Sequence, residues 1–343
     1  MENHGLVGGL RRQYPAADVI GCSTAGEIHD TEVSDGGLVL AAVEFAHSRV
    51  RVTYHGLDDA GDSAAIGNRI ARDLAEEDLV HVIVLAEGIH VNGSALVVGL
   101  RSGLPGSVTV SGGLAADGDR FQRTTVHCNG ETRSRAVVAV GLYGNRLHTE
   151  CCSRGGWDPF GPDRLITRAE GNVLYELDCR PALDLYRRYL GPHADGLPAS
   201  GLLFPLSLRG NPGEPRVVRT ILGIDEAERS LIFAGDVPEG EYARLMRANI
   251  DRLVDGAHNA GEACLCEAAG AVGSSLSVLV SCVGRRLVLK QRVDEEVESV
   301  RRALGSGPSI CGFYAYGEIG PFGTLTKCEL HNQTMTVTTI RES

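Results

Sequence analysis

Two glutamates stand at the same position of a repeated loop motif. The pattern GxxxxGEI occurs at residues 21–28 and again at 312–319, so that Glu27 and Glu318 each follow a glycine-bounded loop after a strand-like run. Glycines leave backbone amides open to a ligand, and a carboxylate beside them can orient it. The repeat therefore predicts a pseudo-symmetric pocket. The alternative is coincidence, because the chain has 44 glycines among 343 residues.

A third glycine loop, at residues 112–119, follows another apolar strand-like run. Ligands of α/β proteins bind where strands end, so three such loops predict a shared ligand site if the fold brings them together. The alternative is three tight turns whose acidic side chains are solvated. The sequence leaves both interpretations open.

Catalytic motifs are mostly absent. The chain contains no GxxxxGK[ST], no GxGxxG before a helix, no HExxH and no GxSxG, which are the motifs of nucleotide hydrolysis, dinucleotide binding, zinc proteolysis and acyl transfer. Cys22 beside His29 or Glu27 could act as a nucleophile with its base, but such a cysteine is more often a small buried hydrophobe. We expect a protein that is not an enzyme. The enzymatic alternative uses Glu27 and Glu318 as acid and base in one cavity.

The charge and the hydropathy of the chain argue against nucleic acid and membranes as partners. With 33 basic and 44 acidic side chains, the net charge of −11 gives no electrostatic footprint for nucleic acid or anionic lipid. No apolar run approaches the ~18 residues of a membrane span, and residues 1–5 lack a basic segment before an apolar secretory core. The ten cysteines are irregularly spaced, as is typical of reduced thiols. We expect a cytoplasmic protein without membrane insertion.

The apolar periodicity predicts the elements that carry these loops. In the N-terminal half, a helix is predicted over residues 63–75, a buried strand over 80–86 and a helix over 93–100 that Asn92 caps, followed by a strand over 107–111. This order is a strand–helix–strand unit. The predicted class is α/β (mixed α+β), with two domains of mixed sheets flanked by helices.

Three further predictions concern the rest of the chain. The β-rich runs at residues 38–45 and 49–55 predict a hairpin or a meander, and residues 240–268 predict a long helical stretch. A Gly- and Pro-rich stretch at residues 155–162, which contains the single tryptophan, separates two halves. We therefore predict domains at residues 1–150 and 151–343.

Several segments together resemble the FIST family of bacterial signal-input proteins. They are GCSTAGEI at 21–28, HVNGS at 90–94, SGGLAADGDRF at 111–121, GNVLYELDCRPALDLYRRYLG at 171–191, FYAYGEIGPF at 313–322 and CELHNQTMT at 328–336. The resemblance covers nearly the whole chain, with the N-terminal FIST region to about residue 150. It also implies an N-terminal domain lacking its first strand and helix, which would expose a sheet edge or leave it to a partner.

The resemblance implies a sensory protein that binds a small molecule and acts in trans. The implied partners are a histidine kinase, a cyclic-di-GMP enzyme or a chemoreceptor, and a homodimer is a possible assembly. The ligand-binding candidates are Thr24, Gly26, Glu27, Asp117, Tyr316, Glu318 and Asn332. The alternative to a sensor or an enzyme is an interaction module without a small ligand.

One branch of this family comprises haem-binding nitric oxide sensors. Segments such as SRGGWDPFGP at 153–162, RTILGID at 219–225 and ELHNQTMT at 329–336 resemble that branch. The resemblance implies haem b as a possible cofactor, with His331, His90 and Cys151 as candidate iron ligands. Cys151 and Cys152 stand where members of the branch often carry a histidine.

Overall fold

A computed structural model describes residues 4–57, 62–209, 217–265, 274–322 and 328–343 of the chain. Its helices are α1 His4–Gln13, α2 Ser63–Leu74, α3 Gly93–Gly103, α4 Ala182–Leu190, α5 Ile250–Ala263, α6 Val283–Leu289 and α7 Val293–Leu304. Its strands are β1 Ile20–Cys22, β2 Glu27–His29, β3 Glu32–Ser34, β4 Arg49–Gly56, β5 Leu79–Ala86, β6 Thr109–Leu114, β7 Val126–Cys128, β8 Glu131–Arg133, β9 Ala136–Tyr143, β10 Leu147–Arg154, β11 Asp158–Glu170, β12 Val173–Leu177, β13 Arg180–Pro181, β14 Leu206–Arg209, β15 Val217–Arg219, β16 Ile221–Asp225, β17 Ser230–Phe233, β18 Tyr242–Arg247, β19 Ser275–Cys282, β20 Ser309–Ala315, β21 Gly317–Pro321, β22 Cys328–His331 and β23 Met335–Glu342. The mixed α/β class is confirmed.

Two six-stranded sheets at the centre have the same strand arrangement. Sheet I has the order β22-β21-β6-β5-β9-β4 and sheet II the order β3-β2-β20-β19-β23-β10. In each sheet the two middle strands are parallel, β5 with β6 and β19 with β20, and all other neighbours are antiparallel. A three-stranded sheet, sheet III, has the order β1-β7-β8. The internal repeat seen in the sequence is therefore a repeat of structure.

Each sheet receives a hairpin from another part of the chain. The hairpin β2–β3 pairs with β20 in sheet II, β21–β22 pairs with β6 in sheet I, and β7–β8 pairs with β1 in sheet III. In the two GEI copies the isoleucine lies opposite a glycine, Ile28 opposite Gly312 and Ile319 opposite Gly112. A Cβ on Gly112 would lie 1.8 Å from the Val84 carbonyl oxygen, so no larger residue fits this close packing.

Helices cover the central sheets and fix the strand ends. Helices α2 and α3 pack on each other and contact β4 and β22 of sheet I, whereas α5 and α7 pack on each other and α5 contacts β10 and β23 of sheet II. The predicted cap is confirmed, because the Asn92 side chain accepts a hydrogen bond of 3.0 Å from the Ala95 amide. Both sheets contribute to one apolar core that includes Ile28 and Ile319.

An outer unit extends from the central sheets over residues 158–247. It is an eight-stranded sheet with the order β15-β14-β18-β11-β12-β17-β16 and β13 paired to β12. Together with α4 it encloses a core of its own, built from residues such as Leu174, Leu183 and Phe233. The division at residue 150 stays a prediction.

Two predicted elements are wrong. Residues 38–45 form no strand, although β4 follows as expected. Leu40 and Val43 are 57% and 51% exposed, and the run finds no neighbouring strand among the described residues, so its β propensity goes unused. Residues 240–268 are not one helix, because β18 pairs with β11 and β14 before α5 begins, and residues 266–268 lie outside the described part of the chain. None of the helices in the described residues is long and apolar enough to cross a membrane.

Candidate functional site

The three glycine loops meet at the ends of β1, β6 and β20. We call residues 21–28, 112–125 and 312–319 the three-loop junction. The Ala25 amide donates to the Tyr314 carbonyl at 2.8 Å, and the Tyr316 amide donates to the Leu114 carbonyl at 3.1 Å. The first and third loops are joined by the Ser23 amide, which donates to the Thr125 carbonyl at 2.9 Å. Each loop is therefore bonded to both of the others.

An acid and two rings form one side of the junction. The Tyr316 hydroxyl donates to Asp117, and the Phe121 ring stacks on the Tyr316 ring with centroids 4.3 Å apart. The backbone amides of Phe121, Gln122 and Arg123 also donate to the Asp117 carboxylate. Burial alone would raise the pKa of Asp117, but the Tyr316 hydroxyl and these amides hold that pKa below its usual range. Asp117 is thus an ionised centre that orders residues 117–123, and Phe121, 42% exposed, covers it from solvent.

A fourth segment, just after β5, joins this side of the junction. The buried carboxylate of Glu87 accepts hydrogen bonds from the Thr124 hydroxyl and from the Ile89 and His90 amides. The Gly88 amide in turn donates to the Thr124 hydroxyl at 3.0 Å. Glu87 was not among the predicted site residues. The signal for it was its position directly after a buried strand, which it shares with the three loops.

Glu27 lies at the open side of the junction and is half-buried. Its carboxylate accepts from the Thr24 hydroxyl at 2.6 Å and from the Gly37 amide at 3.1 Å, so both oxygens have partners. Next to it, the Arg286 guanidinium donates to the Ala25 carbonyl and to both oxygens of Asp35. The Arg286 hydrogen bond holds the pKa of Asp35 below its usual range. A cation therefore stands close to Glu27.

Glu318 is fully buried behind the junction and is bonded on one side. The Thr334 amide and hydroxyl donate to its Oε2 atom at 3.1 and 2.9 Å, whereas its Oε1 atom has no nitrogen or oxygen donor. The Cys282 thiol lies beside the carboxyl. Burial raises the pKa of Glu318 to about 8, although the Thr334 bonds and the charge of Arg285 act in the opposite direction. The Glu318 carboxyl therefore keeps its proton up to a pH of about 8.

Three residues that precede Thr334 also have a buried polar atom without a hydrogen-bond partner. Asn332 Oδ1, Gln333 Oε1 and His331 Nδ1 are buried and unpartnered in the described structure, and their residues are at most 1% exposed. The other polar atom of each faces a carbonyl oxygen: Asn332 Nδ2 faces that of Tyr316, Gln333 Nε2 that of Leu202 and His331 Nε2 that of Gly320. Since a carbonyl only accepts, these three nitrogens are donors and the unpartnered atoms are acceptors.

The nearest buried cation is already neutralised. Arg285 donates to Glu296 at 2.6 Å, and its other nitrogens donate to the Gly155, Leu253 and Gln333 carbonyls. The Tyr314 hydroxyl completes the Glu296 site at 2.8 Å. This network is structural, because it joins α5, α6, α7 and β20 in the core. It leaves the Glu318 carboxyl without an ion-pair partner of its own.

The candidate haem ligands occupy different surroundings. His90 is exposed, with Nδ1 3.1 Å from Glu87. His331 is enclosed, and burial lowers its pKa to about 4. Burial raises the pKa of the Cys151 thiol to about 12, so the thiolate that iron would require is disfavoured. The described residues contain no cluster of three or more His, Cys, Asp or Glu that could hold a metal ion.

The structure brings most of the predicted ligand residues together. Thr24, Gly26 and Glu27 lie on the first loop of the junction, Asp117 on the third, and Tyr316 and Glu318 on the second. Asn332 joins them through its bond of 3.3 Å to the Tyr316 carbonyl. Sequence reasoning missed Glu87, Phe121, Thr124, Cys282 and Gln333. Cys22 is half-buried and packs against an apolar cluster, and desolvation raises the pKa of its thiol to about 12, as expected of a packed hydrophobe and not of a nucleophile.

Comparison with known proteins agrees with the whole-chain resemblance. The FIST N domain model matches residues 2–180 and the FIST C domain model matches residues 182–321. An uncharacterised protein of Mycobacterium tuberculosis, Rv0628c, is 27% identical over 335 residues, which cover 92% of this chain and 82% of that protein.

Two further matches are more remote. The uncharacterised protein MJ1623 of Methanocaldococcus jannaschii is 25% identical over 272 residues, and the match covers 72% of this chain and 51% of that protein. A solved cyanuric acid hydrolase from A. caulinodans is 12% identical and covers 86% of this chain, but its TM-score of 0.20 supports no structural argument. The two family models together span most of the sequence, and the chain therefore belongs to the FIST family of small-ligand-sensing signal-transduction proteins.

Proposed function

We propose that this protein is a signal-input module that binds a small molecule at the three-loop junction and reports its presence to a separate signalling protein. The observation that supports the site is the set of backbone hydrogen bonds that ties each loop to the other two. Loops that end neighbouring strands are the common position of ligands in α/β folds. A guest at this point would contact segments that are nearly 300 residues apart in sequence.

The hairpin exchange gives such a guest a way to act on the whole protein. Tyr316 lies between β20 of sheet II and β21 of sheet I, and Gly26 precedes β2 of sheet II. A ligand that shifts these residues would displace hairpins in both central sheets. The differential affinity of the ligand for the two arrangements would then set the signal.

We further propose that the protein is cytoplasmic and not an enzyme, and that it acts on a histidine kinase, a cyclic-di-GMP enzyme or a chemoreceptor. The enzymatic alternative requires Glu27 and Glu318 to share a cavity. Among the described residues, no side chain hydrogen-bonds to both carboxyls: Thr24 and Gly37 bind the first, and Thr334 binds the second. We therefore favour the sensor, because the two carboxyls have separate hydrogen-bond partners in the described residues.

Haem-based sensing of nitric oxide is the finer version of the proposal. The surroundings of the candidate ligands do not fit a haem, because His331 is enclosed and Cys151 is a protonated thiol, whereas His90 is on the surface beside Glu87. Absorbance during hemin titration tests this version directly. A Soret band that shifts with nitric oxide would support it, and a spectrum equal to that of free hemin would remove it.

A thermal-shift screen with amino acids and other metabolites tests the general proposal. A compound that binds the native state raises the melting temperature with its concentration. We expect such a compound to lose most of its effect in Tyr316→Phe, because the hydroxyl that orders Asp117 and Phe121 is gone. Tyr242→Phe is the matched control, since Tyr242 is exposed in the outer unit. If no compound raises the melting temperature, the interaction-module alternative replaces the sensor.

A further inference from the structure

Sheet III repeats part of the arrangement of the two central sheets. In chain order, β6 is followed by a hairpin that pairs in another sheet and then by β9, and β20 is followed by such a hairpin and then by β23. Strand β1 is likewise followed by the hairpin β2–β3, which pairs in sheet II, and then by residues 38–45. These residues therefore correspond in the third repeat to β9 and β23.

The central sheets show what lies beside this position in a complete repeat. Strand β9 pairs antiparallel with the middle strand β5, which is parallel to β6, and β23, β19 and β20 are arranged in the same way. In sheet III, no described strand pairs with residues 38–45 or with the second edge of β1. A strand that completed the repeat would run parallel to β1 and antiparallel to residues 38–45.

The backbone groups on both sides of this position are available for pairing. The Ser23 amide donates to the Thr125 carbonyl at 2.9 Å, so Ser23 faces β7. Because alternate residues of a strand direct their backbone groups to opposite edges, Ile20 and Cys22 point theirs away from β7. Residues 38–45 make no hydrogen bond to any described residue. An added strand would find donors and acceptors on each side.

Residues 38–45 are apolar, exposed and fixed at both ends. The Gly37 amide donates to Glu27 of β2 at 3.1 Å, and the Ala46 amide donates to Glu342 of β23 at 2.6 Å. Between these points the sequence LVLAAVEF has a single charge, and all but two of its residues are exposed. An apolar run with free backbone groups is a template for pairing with another chain.

An apolar surface borders the same position. Ile20 of β1 and Phe45 pack against one cluster, and Val52, Val80 and Ile83 of sheet I pack against it as well. All five side chains remain partly exposed. Covering such side chains favours association, so an added strand with an apolar face would be stabilised here.

The run itself has the direction and the composition that this position requires. A two-fold axis at Ala41 or Ala42 sets residues 38–45 of two copies antiparallel to each other, as β5 and β9 are. Glu44 of one copy then lies opposite Leu38 or Leu40 of the other, so the two like charges are not opposed. A second copy of this chain therefore supplies an apolar strand in the correct orientation.

We propose that two copies of this chain form a homodimer in which residues 38–45 pair antiparallel across a two-fold axis. Each copy's run then lies between β1 and residues 38–45 of the other copy, and sheet III becomes continuous through both. This assembly goes beyond the proposed function and does not depend on a ligand. Glu27, on the first loop of the three-loop junction, bonds the residue before the run and so links the dimer contact to that junction.

The test measures the oligomeric state by analytical ultracentrifugation over a wide range of protein concentration. We expect a monomer–dimer equilibrium. Val43→Lys should raise the dimer dissociation constant about tenfold or more, because pairing brings a charge into an apolar contact. Val98→Lys is the matched control, since Val98 is an exposed valine of α3, and it should dimerise as the unaltered protein does.

A pair of opposite charges tests the two-fold axis itself. Ala41→Lys and Ala41→Glu should each weaken the dimer, because the axis brings the two copies of residue 41 close together and like charges repel. An equal mixture of the two variants should restore dimers that contain one of each. Ala41 is exposed, so both variants should fold, and their circular dichroism should match that of the unaltered protein. A mixture that stays monomeric would overturn the pairing.

The remaining outcomes distinguish other occupants of the position. A chain that is monomeric at every concentration would overturn the dimer, and if that monomer binds a synthetic peptide of residues 79–86, the position accepts a strand of another protein. A dimer that Val43→Lys and Val98→Lys affect equally would use a different surface and would also overturn the proposal. None of these results involves a ligand, so the proposed function stands or falls separately.

Discussion

The two copies of the GEI motif occupy equivalent strand positions but have opposite surroundings. Glu27 is half-buried, both of its oxygens are bonded, and Arg286 lies beside it. Glu318 is fully buried, has a free oxygen and lacks a cation of its own. The same three letters thus produce a half-buried carboxyl with both oxygens bonded in one sheet and a fully buried carboxyl with one free oxygen in the other.

The two glutamates differ in burial because different elements pack against their hairpins. The hairpin β2–β3 lies at a sheet edge and most of its residues remain accessible. The strands β21 and β22 are buried at all but one of their residues. Strands β10, β19 and β23 pack against β21, and Arg219 of the outer unit donates to the Leu330 carbonyl. Strand pairing places each glutamate at its position in the sheet. The elements that pack against the hairpin then determine how far the carboxyl is buried.

The largest expected difference concerns the adjacent arginines Arg285 and Arg286. Glu296→Gln should lower the free energy of unfolding by about 3–5 kcal/mol, because it leaves Arg285 buried without a counter-charge. Asp35→Asn should cost less than about 1 kcal/mol, because Asp35 is an exposed partner of Arg286. Urea denaturation of both variants at neutral pH measures the two values. Equal losses would contradict the contrast between the two regions.

A difference of intermediate size should appear in the pH dependence of stability. The pKa of Glu318 is raised in the folded state, so the contribution of this group to stability is fully present below the unfolded pKa of about 4.5 and is lost as the pH rises toward 8. Glu318→Gln should remove about 4 kcal/mol of this decline, because the pKa shift of Glu318 corresponds to about 1.4 kcal/mol per pH unit. Denaturation at the two ends of the interval measures it, and Glu27→Gln should retain the original decline.

The groups that face Glu318 do not obscure this measurement. Burial raises the pKa of the Cys282 thiol above its usual range, so that thiol stays protonated in the interval. Burial lowers the pKa of His331 to about 4 from its usual 6.5, so His331 adds a rise of stability between these values that is present in both the unaltered protein and Glu318→Gln and cancels in their difference. Arg285 is held by Glu296 throughout. An unchanged decline in Glu318→Gln would assign the pH dependence to other groups.

The smallest expected effect concerns the hydroxyl groups that bind the two glutamates. Thr24→Val should cost about 0.5 kcal/mol, because water can replace its hydrogen bond to the half-exposed Glu27. Thr334→Val should cost more, about 1–3 kcal/mol, because no water reaches the buried Glu318 oxygen as easily. Thermal melts of both variants provide the comparison, and the reverse order would undermine it.

The sequence was sufficient to predict the local elements near the site. The apolar periodicity of α2, the cap at Asn92 and the buried strand β5 depend on neighbouring residues, and all three are confirmed. The glycine spacing also indicated that three loops lie at strand ends. That they meet is a structural finding, whereas ligand binding by their side chains stays a prediction.

The remaining features depend on contacts between distant residues. The β propensity of residues 38–45 is unused without a neighbouring strand, and residues 242–247 form a strand because β11 and β14 flank them. The free oxygens of Asn332 and Gln333 result from which carbonyl each amide meets, at Tyr316 and at Leu202. Such choices are set by packing and leave no pattern in the sequence.

The hairpin exchange has a consequence for how the molecule is made. Sheet I is assembled from strands near residue 50 and is completed by β21–β22 near residue 320. A ribosome therefore delivers β21, a neighbour of β6, only about 200 residues after β6 itself, and the nascent N-terminal half must wait with that edge open. Long sequence separation of this kind slows folding, and it makes the arrival of β21–β22 the event that completes sheet I.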